Sequence, residues 1–94
     1  MMKPAERIQK IRELLTATFS PTLLEIKDDS HKHVGHFANH QGAGHFSVQI
    51  ASAFFEGKTR VEAHKMIYQA LSELIPSEIH ALQIKLTPTE PSKA

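Results

Sequence analysis

Between Phe55 and Leu71 the chain marks the start of a helix twice, and this stretch constrains the fold most. A glycine turn, Phe55-Glu56-Gly57-Lys58, leads to Thr59, a good N-cap residue. Glu62, three residues on, can reach back to the Thr59 backbone and complete a capping box. Advancing ~100° per residue from Val61 places Ile67, Tyr68, Leu71, Leu74 and Ile75 on one face. The helix is therefore expected over about residues 59–75, closed by Pro76. His64 falls in the middle of that apolar face as its one polar residue. Such a histidine is either a hydrogen-bonded core residue or a functional group held near the helix start.

Alternating stretches stand on both sides of this helix. Residues 22–27 read as a short strand, with Leu24 and Ile26 alternating against Glu25 and Lys27. Residues 45–51 read as a second strand, with Phe46, Val48 and Ile50 on one face, and residues 52–55 as a short turn. Residues 77–86 form a third, carrying Leu82, Ile84 and Leu86. A first helix runs from Pro4, with Ile8, Ile11, Leu14, Leu15 and Phe19 at helical spacing, and Ser20-Pro21 stops it. Its charged positions Glu6, Arg7, Lys10, Arg12 and Glu13 read as solvated surface.

Between the first two strands, Asp28-Asp29-Ser30 opens a loop of His and Gly without apolar period, reaching Gly44. The order helix, strand, strand, turn, helix, strand predicts an α+β domain over residues 1–86. Two helices would cover one face of a three-stranded mixed sheet, the first two strands antiparallel and the last two parallel. Residues 87–94 read as a disordered tail.

Composition narrows the function. The chain of 94 residues has no cysteine, which excludes disulfides, thiolate zinc sites and a self-contained iron–sulfur centre. No apolar run is long enough to span a bilayer and no signal peptide is evident, so a soluble cytoplasmic protein is expected. The formal charge of +1 does not announce nucleic-acid binding. Histidine is abundant, with seven at positions 31, 33, 36, 40, 45, 64 and 80.

Several segments together resemble the BolA family over roughly residues 5–86. They are Asp28-Asp29-Ser30 with His33, then His45-Phe46 with Val48 and Ile50, Phe55-x-Gly57-Lys58, His64-Lys65-Met66-Ile67-Tyr68, and Ile79-His80-Ala81-Leu82. One departure is Ala63-His64-Lys65, where the family usually has Arg-His-Arg; a lost guanidinium weakens any bidentate grip on phosphate.

The resemblance implies a fold similar to the type II KH domain. It also implies a monothiol glutaredoxin partner with which a [2Fe-2S] cluster is shared. In that reading His64 and His33 are the metal ligands, with His36 in reserve for the loop position. A chain with imidazoles and no thiol can complete a cluster whose thiolates come from a partner and glutathione, but cannot readily hold one alone. Some family members are credited with transcriptional regulation, so the alternative is DNA binding through Lys58, Arg60 and Lys65 at the basic turn. His80, in phase with Leu82, reads as structural, and His45 has an open role. No nucleophile is paired with a base at recognisable spacing, so neither catalysis nor a small-molecule substrate is expected.

Overall fold

Helix α1 (Pro4–Phe19) begins where the missing N–H of proline costs little, because first-turn donors have no helical acceptor. The Lys3 backbone N–H donates to the Glu6 carboxylate at 2.9 Å. Ser20 ends the helix in the left-handed region at φ 44°, its N–H donating to Thr16 O. Strands β1 (Leu23–Asp28) and β2 (Gly44–Ala51) follow, then a 3₁₀ turn at Ala53–Phe55. Helix α2 (Arg60–Ala70), a 3₁₀ turn at Ser72–Leu74 and strand β3 (Ile79–Leu86) complete the order. The structure, a computed structural model, describes residues 2–29 and 44–88.

The sheet order is β1-β2-β3. β1 runs antiparallel to β2, Leu24 opposite Ile50 and Ile26 opposite Val48, while β2 and β3 are parallel, Val48 opposite Ile84. The expected mixed sheet is present. Ile11, Leu15 and Phe19 of α1 and Ile67 of α2 join Leu71, Leu74, Phe46, Val48, Ile50 and Ile79 in one buried core. Both helices therefore cover one face of the sheet. The alternate residues, among them Glu25, Lys27, Ser47, Gln49, Gln83 and Lys85, line an open concavity of about 590 Å³.

Three local expectations need correction. The long helix ends at Ala70 instead of running to Ile75, and the tighter turn that follows returns Leu74 to the core at 4% exposure. The inner face of α2 is rotated: Ala63 and Ile67 are buried, whereas Val61 is 64% and Tyr68 42% exposed. His64 thus lies half-buried at the flank of the inner face, one helical turn before Tyr68. Arg7 is not solvated surface. It is buried, and its Nε stands 2.8 Å from Glu78 Oε1, joining α1 to the turn before β3. Beyond residue 86, Thr87 still belongs to the sheet, donating its N–H to Ile50 O at 2.9 Å. Residues 89–94 lie outside the described residues.

Candidate functional site

Two chemically distinct regions follow from this topology. The first is the start of α2. Its capping box forms as expected: the Glu62 N–H donates to Thr59 Oγ1 at 3.1 Å and the Thr59 N–H to Glu62 Oε1 at 2.8 Å. The preceding turn needs its glycine, because Gly57 has φ 78°, where a Cβ strains the backbone even with space around it. Lys58, Arg60 and Lys65 are all exposed around this turn and helix start, interleaved with the exposed carboxylates of Glu56 and Glu62. The helix dipole adds positive character here, and the two acids offset most of it.

His64 stands in the second turn of α2 and lines the sheet concavity beside Leu82, Gln83, Ile84 and Lys85 of β3. Its Nε2 is buried and has no hydrogen-bond partner among the described residues. One turn on, Tyr68 donates its hydroxyl to Leu82 O at 3.2 Å, which fixes that side of α2 against β3. Because the C-terminal end of α2 feeds the start of β3, His64 points toward the far half of that strand.

The second region is the opposite end of the sheet, where β1 stops and β2 and β3 start. Here Gly44 pairs with Ile79 but His45 pairs with Ala81, so His80 is an extra residue in β3. The irregularity reverses the expected phase. Ile79 is buried, His80 is exposed, and the His80 ring lies beside His45 with centroids 5.1 Å apart and planes at 44°. His80 is therefore not a core residue in phase with Leu82. A simple period cannot reveal this, since one inserted residue turns every later side chain over.

The same corner is well anchored. Asp29 N–H donates to His45 O at 2.7 Å, Gly44 N–H to Glu78 O at 3.0 Å, and Ser47 Oγ to the Asp29 carboxylate. Segment 30–43 joins the sheet here, at Asp29 and Gly44. Its histidines, His33 and the reserve His36 included, lie outside the described residues. Among the described residues, no group of three or more His, Asp or Glu is arranged to hold a metal ion. His45 and His80 are brought together; His64 is placed elsewhere. At the corner it is the exposed His80 that is placed to reach a partner's metal, whereas the Nε2 atoms of His45 and His64 are both buried.

A small α+β domain with two helices on one face of a mixed sheet and imidazoles at one sheet end defines the class. The chain belongs to the BolA family: the model of the BolA-like protein family matches residues 15–90. It is 40% identical over 90 residues to "SufE-like protein 1, chloroplastic/mitochondrial" of Arabidopsis thaliana, covering 89% of this chain and 24% of that protein. It is 34% identical over 76 residues to the "DNA-binding transcriptional regulator BolA" of Escherichia coli (strain K12), covering 81% of this chain and 70% of that one. The solved BolA domain of SufE1 from Arabidopsis thaliana superposes with a TM-score of 0.77 at 34% identity, covering 95% of this chain and 96% of that one. The chain thus spans about a quarter of the SufE-like relative, at 24%. No helix among the described residues is long and apolar enough to cross a membrane.

Proposed function

We propose that this chain is an accessory protein that binds a monothiol glutaredoxin and completes its [2Fe-2S] cluster with imidazole ligands, for iron–sulfur trafficking or iron and redox sensing. Family membership supports the reading, and the exposed His80 at the corner where segment 30–43 joins the sheet carries it. When bound, such a cluster with histidine on one iron has a raised potential and a proton-sensitive metal–ligand bond. With no cysteine in the chain, the thiolates come from the partner and glutathione.

Of the described histidines, we assign the donor role to His80 ahead of His64. The buried Nε2 of His64 would have to be uncovered before it met a partner's iron. His33 is the loop donor in this reading and His36 its reserve. No catalysis is assigned to the chain itself. The cytoplasmic expectation gains no support from the relatives, one of which is named for chloroplasts and mitochondria.

The test is visible circular dichroism of a cluster-loaded monothiol glutaredoxin titrated with the chain and with His80→Ala, His64→Ala and His33→Ala. A saturable spectral change is expected with the wild type, lost with His80→Ala and His33→Ala and kept with His64→Ala. Loss with His64→Ala alone would move the ligand to α2. No spectral change and no co-elution would remove the glutaredoxin reading altogether.

DNA binding is the second reading, favoured by the 34% identical bacterial relative that is named a DNA-binding transcriptional regulator. Lys58, Arg60 and Lys65 would contact phosphates, giving salt-dependent retention of low sequence preference.

A further inference from the structure

We propose that His45 and His80 form a two-imidazole chelate for one late first-row divalent cation, of the zinc, nickel or copper class, on the isolated chain. The geometry is the starting point. A zinc-type ion about 2.0–2.1 Å from one nitrogen of each ring lies about 3.2 Å from each ring centroid. At a tetrahedral angle of about 109°, two such centroids stand about 5.2 Å apart, whereas a right angle brings them to about 4.5 Å. The observed separation is 5.1 Å. The ring planes meet at 44°, so the imidazoles are tilted against each other and do not stack flat.

The backbone holds this arrangement in advance. The extra residue in β3 sets His80 beside His45 across the parallel ladder. Bonds from Asp29 N–H to His45 O and from Gly44 N–H to Glu78 O fix both strand starts. Binding an ion therefore asks for rearrangement of two side chains and not of the backbone that carries them. Imidazole suits zinc, nickel and copper, and the chain offers no competing thiolate. With no third donor completing the set among the described residues, the remaining positions go to water or an exchangeable ligand. The Nε2 of His45 is buried and His80 is exposed, so an ion enters from the His80 side.

The chelate does not depend on the glutaredoxin reading, and its test uses neither glutaredoxin nor cluster. Were His80 also a cluster ligand, a bound cation would compete for it. Calorimetry and long-range ¹H–¹⁵N NMR would follow Zn²⁺ and Ni²⁺ added to the full chain. The background variant carries His31→Ala, His33→Ala, His36→Ala and His40→Ala, which removes loop affinity. One equivalent is expected to bind, with ¹⁵N shifts in both His45 and His80. His45→Ala and His80→Ala should each weaken binding by at least the roughly tenfold that loss of an outer-sphere partner costs. His45→Phe retains an aromatic ring against His80 yet should weaken binding equally, separating chelation from ring packing; far-ultraviolet dichroism checks folding. Binding that vanishes from the loop background, or survives His45→Phe or His80→Ala unchanged, overturns the proposal.

Discussion

Arg7 and Glu78, 71 positions apart, meet with an Nε–Oε1 distance of 2.8 Å and side chains only 6% and 14% exposed. The Arg7 guanidinium holds the Glu78 carboxyl below the ordinary value of 4.5, outweighing the partial burial that pushes it the other way; the Met2 N–H adds to the lowering. A carboxyl with a lowered folded-state pKa stabilises the fold above its unfolded value, and that gain disappears as pH falls through the folded value. Glu78→Gln should therefore be less stable than the wild type near neutrality, and the gap should close below about pH 4.5. Urea unfolding at pH 7, 5 and 3.5 measures it; a gap constant to pH 3.5 would assign the effect to packing. Helical spacing showed that Arg7 was charged and off the Ile8 stripe, but a partner so distant in the chain leaves no periodic trace. The same limit applied to His80, whose exposure comes from one inserted residue, and to His64, whose place relative to β3 is a tertiary fact.

At the scale of elements, α2 was legible at its start and misread at its end. Thr59, Glu62 and Gly57 are local signals, and all three act as their types require. Thr59→Ala is expected to cost about 1 kcal/mol of stability. Gly57→Val should cost more than Gly57→Asn, since a β-branched residue resists φ 78° and asparagine tolerates it. Equal losses from Val and Asn in a thermal melt would mean the turn relaxes out of that conformation.

The apolar face of the same helix was rotated in the sequence reading because Ala63 is too small to register as a hydrophobic signal, while Val61 and Tyr68 register strongly. Ile67→Ala should accordingly cost about 2–5 kcal/mol, as a fully buried side chain, whereas Val61→Ala should fall within about 0.5 kcal/mol of neutral. Chemical denaturation of the two variants distinguishes the observed face from the expected one. The strands were legible almost to the residue, because each buries alternate side chains against the helices and the other face stays polar.

For the whole molecule, the decisive quantity is charge. Seven histidines in 94 residues mean that full protonation takes the formal charge from +1 to +8. Histidine is the side chain whose charge ordinarily changes between about pH 5 and 8. The basic turn at Lys58, Arg60 and Lys65 is diluted at neutrality by Glu56 and Glu62, and long-range attraction to a polyanion is correspondingly small. Each imidazole that takes up a proton adds positive charge to the chain. Retention of duplex DNA at low salt is therefore expected to strengthen from pH 7.5 to 6. The log–log salt slope should steepen as more phosphate counterions are released. Filter binding across a salt series at each pH provides both quantities. Retention that is pH-independent but lost with Lys58→Ala and Arg60→Ala would confine DNA contact to the turn. Retention that grows with acidity yet ignores both substitutions would make it a property of the histidine charge as a whole. In that second case regulation through a specific operator has no structural basis in α2, and the imidazole corner is left as the part of the molecule with defined chemistry.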